Sequence, residues 1–156
     1  MLQKILLFIL LLAGISLKSQ TLYWVGGTGN FHDGQHWALV SGGNPSGIIP
    51  NKTSHLIFDD GSVAYNSVVE VTQNVDVASI NVLLEDKTID FIGNALLQFK
   101  LHASTYFNPN FKFLFKGPVF LEPTQDAVFK FSHTIFKNEL SVTTNKTIEL
   151  GGVNSQ

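Results

Sequence analysis

Three groups of residues carry side chains that can do chemistry. His32, Asp33 and His36 place two imidazoles and a carboxylate within five residues, a donor set that suits a transition metal. His-x3-His converges on one face only in a helix, and Gly34 inside the spacing points to a loop, where the same side chains serve as capping hydrogen-bond partners. Asp59 and Asp60 are adjacent carboxylates, able to share acid and base work in glycoside cleavage or to offer hard oxygen ligands to calcium. Followed by Gly61 and Ser62, they equally form a turn whose carboxylate bonds the backbone two residues on. Tyr23, Trp24 and Trp37 are flat rings that can stack on the apolar face of a pyranose, or fill a core. His102 and His133 stand alone and read as satisfied or exposed side chains rather than catalytic bases.

No serine nucleophile elbow, phosphate loop or dinucleotide fingerprint is present. Gly26-Gly27-Thr28-Gly29 is glycine-rich but does not run from an apolar strand into a helix, so it is not read as a phosphate cradle. No cofactor and no catalytic residue are expected.

Most of these residues sit in one stretch. Tyr23 to Trp37 holds both tryptophans, four glycines and two histidines. Rings alternating with glycine suit a tight cap in which backbone crosses aromatic faces. Val40 to Asn51, rich in glycine, serine and proline, reads as a loop; His55 to Phe58 reads as a short strand closed by the turn Asp59 to Ser62.

From Val69 onward an apolar-polar-apolar triplet recurs: Val69-Glu70-Val71, Ile89-Asp90-Phe91, Phe111-Lys112-Phe113, Phe129-Lys130-Phe131 and Ile148-Glu149-Leu150. The starts lie 20, 22, 18 and 19 residues apart. Second alternating runs stand between them, at Val75-Asp76-Val77, Leu97 to Leu101 and Val119-Phe120-Leu121. Alternation with β-branched and aromatic residues predicts strands, and a period near twenty matches one coil of a β-solenoid. The expected class is all-β, a solenoid whose inward Val, Ile, Phe and Leu build one core. Glu70, Asp90, Lys112, Lys130 and Glu149 face water. The alternative is a β-sandwich, which also shows short alternating strands and frequent turns; the regular period favours the solenoid.

The ends and the charge narrow the function. Lys4 followed by the apolar run Ile5 to Leu12 reads as a secretory signal peptide over 1–19, too short to span a bilayer, with cleavage near Ser19 or Gln20. Residues 20–62 then form the cap and loop region, and 63–156 the coils. The chain has no cysteine, so packing and hydrogen bonds must hold an exported fold. Asn51 and Asn145 begin Asn-Lys-Thr sequons, which in a bacterial chain arise by chance. All ten basic residues are lysine, and removing Lys4 and Lys18 takes the formal charge from −2 to −4. Without arginine and with acidic balance, a nucleic-acid partner is excluded. No membrane span follows the leader. Because the fifth triplet is followed by only six residues, the chain is expected to be the N-terminal piece of a longer protein, able to self-associate through an open end coil.

The cap also carries a resemblance. Tyr23-Trp24-Val25-Gly26-Gly27-Thr28-Gly29-Asn30, then Asp33 and His36-Trp37, resembles the opening of large secreted surface proteins of the Bacteroidota, in which a Trp-x-Gly-Gly-x-Gly-x-Trp segment follows the leader. Pro50 and His55 to Asp59 resemble the Pro-x-x-x-Asp/His-x-Val/Ile-x-Phe-Asp element that comes next. The likeness covers about Leu22 to Ser62. Phe31 stands where the second tryptophan is usual, and the C-terminal sorting domain is missing. The resemblance implies a right-handed parallel β-helix, export by type IX secretion or a gliding-motility-associated route, and an adhesin-like role; it carries over no chemistry.

Two functions follow as expectations. The first is an exported, non-enzymatic β-solenoid module of a bacterial surface protein, adhesin-like or structural, meeting glycans or cell-surface proteins. The second is the N-terminal part of a β-helix polysaccharide lyase or glycoside hydrolase with catalytic coils beyond Gln156. Missing arginine weakens the second for acidic polysaccharides, whose carboxylates need cationic partners.

Overall fold

Alternation of apolar and polar residues is carried directly into strands. A computed structural model describes residues 19–93, 97–107, 111–115, 119–125, 127–131, 133–136, 140–142 and 148–152. Of the leader read at 1–19, residues 1–18 lie outside the described residues, as does the sequon at Asn145. The chain is all-β; a single 3-10 turn at Gly34–His36 is the one helical element among the described residues. No helix there is long and apolar enough to cross a membrane.

Sixteen strands form three sheets. The first has seven: β1 (Gln20–Trp24), β3 (Trp37–Ala38), β4 (Ser54–Phe58), β7 (Ser79–Val82), β10 (Thr105–Phe107), β13 (Ala127–Phe131) and β16 (Ile148–Gly152). The second has five: β2 (Gly29–Asn30), β5 (Ser67–Glu70), β8 (Ile89–Gly93), β11 (Phe111–Phe115) and β14 (His133–Phe136). The third has four: β6 (Val75–Val77), β9 (Leu97–Leu101), β12 (Val119–Pro123) and β15 (Leu140–Val142). From β4 onward the chain visits the three sheets in strict rotation, so that strands three apart in the chain pair with one another, and β6 begins its sheet with β9 as its neighbour among the described residues. All of these ladders are parallel; β1 with β3 is the antiparallel one. The antiparallel sandwich weighed from sequence does not describe this pairing.

One circuit of the three sheets is longer than the sequence triplets indicate. His55 pairs with Ser79, Asn81 with Tyr106, Thr105 with Ala127 and Ala127 with Ile148, separations of 24, 25, 22 and 21. The five triplets belong to two different sheets. Those at Ile89 and Phe111 are in register in the five-stranded sheet, whereas Val69 pairs with Phe91 rather than Ile89. Phe129 and Leu150 pair in the seven-stranded sheet, so the step from Phe111 to Phe129 crosses between sheets. The second runs, by contrast, all fall in the four-stranded sheet.

Burial follows the period of two. β4, β8 and β9 each alternate buried and half-buried residues, so Leu56, Phe58, Ile89, Phe91, Leu97, Phe99 and Leu101 turn inward. These side chains join Leu22, Trp24, Phe31, Trp37 and Val69 in one continuous cluster. Segment 20–62 is part of the same body, because β1 and β4 continue the seven-stranded sheet and Phe58 and Phe91 meet edge to face at 5.3 Å.

Candidate functional site

The aromatic cap is built from close approach. β1 carries Trp24 into the core, and the chain returns through the 3-10 turn so that Trp37 on β3 lies beside it, opposite in register. Asp33 caps that turn, its carboxylate accepting from the Gln35 amide at 2.9 Å. The His36 ring lies flat on Trp24 with centroids 4.6 Å apart, while Trp37 meets Trp24 edge-on at 5.2 Å. Phe58 stacks on Trp24 at 5.9 Å, and Phe31 meets Trp37 edge-on at 5.4 Å. Both indole N–H groups donate to backbone carbonyls, Trp37 to Phe31 at 2.8 Å and Trp24 to Gly27 at 3.2 Å. Gly29 permits the packing: a Cβ there would stand 1.9 Å from His36 Nε2. Gly34 does the same for the loop, with the Gly47 carbonyl carbon 2.4 Å from where its Cβ would be.

This geometry decides the roles weighed for the cap residues. Trp24 and Trp37 are 0% exposed, so neither indole face is open to a sugar. Tyr23, half-buried on β1, is the one ring of the trio that reaches the surface. The three groups of His32-Asp33-His36 point to different neighbours. His36 Nδ1 lies 3.2 Å from the Val25 carbonyl, Asp33 is committed to its turn, and His32 Nε2 lies 3.3 Å from the Asn74 carbonyl. Among the described residues no three His, Asp or Glu side chains gather as a metal site.

Asp59 and Asp60 also diverge. Asp59 Oδ1 accepts from the hydroxyls of Ser41 at 3.0 Å and Ser62 at 2.5 Å, tying the glycine-rich loop to the end of β4. The Asp60 carboxylate reaches the next circuit and accepts from the amides of Glu85, Asp86 and Lys87 at 2.6, 3.3 and 3.1 Å. Lys87 Nζ donates back to the carbonyls of Asp60 and Val63. Both carboxylates therefore act as backbone and loop anchors. His102 Nε2 lies 2.6 Å from Asp76 Oδ1 on the exposed face of the four-stranded sheet, an ion pair when protonated. His133 lies on β14.

A surface groove opens beside the cap at a place the sequence does not mark. It encloses about 680 Å3, and its lining includes Gln20, His32, Asn51, Lys52, Gln73 and Asp76. Its origin is topological. The first circuit supplies β1 to one sheet and β2 to another, then doubles back as antiparallel β3, so that among the described residues no strand covers the outer edge of β6. Val77 faces β9, since its carbonyl accepts from the His102 amide at 3.2 Å. By alternation, the N–H and C=O of Asp76 point away from β9, towards the edge that no described strand covers, and neither has a partner among the described residues. At its ends the edge is plugged: His32 donates to the Asn74 carbonyl, and the Ala78 amide donates to the Ser54 carbonyl at 2.9 Å. Donation through Nε2 leaves the neutral His32 ring with its lone pair on Nδ1, which is buried without a partner. Burial pushes the His32 pKa below its usual value, opposed by the bond to Asn74.

Segments more than forty residues apart meet here, Gln20 with Gln73 and His32 with Asn74. No spacing rule in the sequence could bring them together. Gln73-Asn74 reads only as a turn. Compared with known proteins, the chain matches no family model, no curated protein and no solved structure.

Proposed function

We propose that this chain is an exported, non-enzymatic module of a bacterial surface protein, adhesin-like or structural, whose three sheets are the faces of a right-handed parallel β-helix. The observation that carries the reading is the rotation of the chain through three parallel sheets, each circuit in register with the next. Such an architecture makes a rod whose outward side chains form long, regular faces, useful as a stalk or as a binding surface. The aromatic cap closes the first circuit and supports a role at the head of the rod. On the outer face of the four-stranded sheet, side chains of neighbouring circuits bond to one another. Gln98 donates to Glu122 at 2.5 Å, and Lys100 lies 3.9 Å from the same carboxylate.

The test is expression of the full chain with its leader, followed by fractionation and N-terminal sequencing. Export predicts a new terminus near Ser19 or Gln20 outside the cytoplasm; retention with Met1 intact overturns it. Purified chain immobilised on beads is then offered glycans and cell surfaces. Retention supports the adhesive form of the proposal, and its absence leaves the structural form.

A further inference from the structure

We infer that the groove beside β6 is a binding site for a neutral saccharide, held by the free backbone pair of Asp76 and the side-chain amides of Gln20, Asn51 and Gln73. The inference rests on the adhesive form of the function above and gives it a location. That location is not the buried tryptophan pair.

Four observations carry it. A groove of about 680 Å3 lies within the size range of small-ligand sites. Its floor offers one backbone N–H and one C=O side by side, at Asp76, with no protein partner among the described residues. Three carboxamides surround that pair, and the amides of Gln20 and Gln73 have no partner among the described residues either. Groups that both donate and accept match hydroxyls, which do the same. Finally, His32 donates to Asn74 and walls one end, so the groove is bounded rather than continuous.

The geometry separates this ligand from two others. An extended peptide adds to a sheet edge through a run of free backbone groups. Here the run is one residue long, because His32 occupies the Asn74 carbonyl and Ser54 occupies the Ala78 amide. An anion needs convergent positive charge. Lys52 is the one lysine in the lining.

The experiment follows the backbone amide of Asp76 by NMR in the full exported chain. Cellotetraose, mannotetraose and laminaritetraose serve as neutral probes, with trigalacturonate and an extended Val-Thr-Val-Thr peptide as comparators. At least one neutral probe is expected to shift Asp76 and saturate. Gln20→Ala combined with Gln73→Ala is expected to weaken it at least fivefold, and Lys52→Ala to change it less than twofold. Unchanged circular dichroism shows that the variants fold. No shift with any neutral probe at millimolar concentration overturns the proposal. So does stronger binding of trigalacturonate that Lys52→Ala abolishes, or a shift by the peptide alone. Bead adhesion that survives the double variant also overturns the groove while leaving the adhesive function standing. Saturable binding at Asp76 without any bead adhesion supports the groove and removes the adhesive function instead.

Discussion

His36 lies parallel to Trp24, their rings 4.6 Å apart and inclined by 8°, and the backbone of Gly29 approaches the imidazole too closely to leave room for a Cβ. A histidine weighed in sequence as a metal ligand against a capping hydrogen-bond partner is thus one layer of a stack that continues through the Trp24 indole to Phe58. The stack closes the first circuit without a disulfide.

Removing its largest layer tests how much the cap holds. Trp24→Ala takes out a fully buried indole that packs against the rings of His36, Trp37 and Phe58. The expected cost is about 3–5 kcal/mol, or a fall in Tm of roughly 6–20 °C for a chain of this size. Thermal unfolding followed by circular dichroism reads it directly. An unchanged Tm would show that the cap does not secure the fold.

Gly29 offers a sharper test, since the effect belongs to a pair. Gly29→Ala drives a methyl into the His36 ring and is expected to cost about 1–3 kcal/mol. Adding His36→Ala removes the clash, so the double variant should unfold at a higher temperature than Gly29→Ala alone. Additive losses in the two-residue cycle would mean that the glycine serves the backbone and not the ring.

Asp60 joins two circuits through three amides, and its role predicts insensitivity to metal. Asp60→Ala should destabilise by about 1–3 kcal/mol by leaving those amides without their acceptor. Millimolar calcium, or its chelation, should leave the wild-type Tm where it was. A rise in Tm with calcium that Asp60→Ala removes would restore the carboxylates as a calcium site.

His32 makes stability depend on pH in one direction. Its folded pKa is lowered by burial, so the unfolded chain binds the proton first as pH falls through the ordinary value of 6.5. More protons on the unfolded state mean that stability rises with pH. The contribution is therefore complete above 6.5 and lost as pH falls from there through the lowered value. Between pH 7 and pH 5 the wild type should lose more Tm than His32→Gln. Parallel losses in the two proteins would contradict it.

The strands were legible where residues alternate strictly: His55 to Phe58, Val75 to Val77 and Leu97 to Leu101 are strands in both readings. Ser79-Ile80-Asn81-Val82 and Thr105-Tyr106-Phe107 were not, because polar residues fill inward positions. Ser79 and Thr105 are buried and satisfied locally, Ser79 accepting or donating at 2.9 Å with His55 Nδ1 and Thr105 receiving the Ile80 amide. The apparent period came out short because the triplets slip against the pairing register, Val69 meeting Phe91 rather than Ile89, and pass from one sheet to another between Phe111 and Phe129. The burial of Trp24 and Trp37 was open to sequence reasoning through the glycines around them. The groove was not, since it exists only because a strand is absent from the first circuit of one sheet.

The register itself has a mechanical meaning. Every ladder beyond the cap joins residues 21 to 25 positions apart, so each circuit is tied only to its immediate neighbours. A pulling force applied along the chain meets these ties in sequence, not all at once. Such a body gives way by peeling, releasing contour length in near-equal steps of one circuit, about 70–90 Å each at the extended reach of a chain. Interruption of the steps would fall at the cap, where Gly29 is paired to Val69, 40 positions on, and the aromatic stack must be broken together.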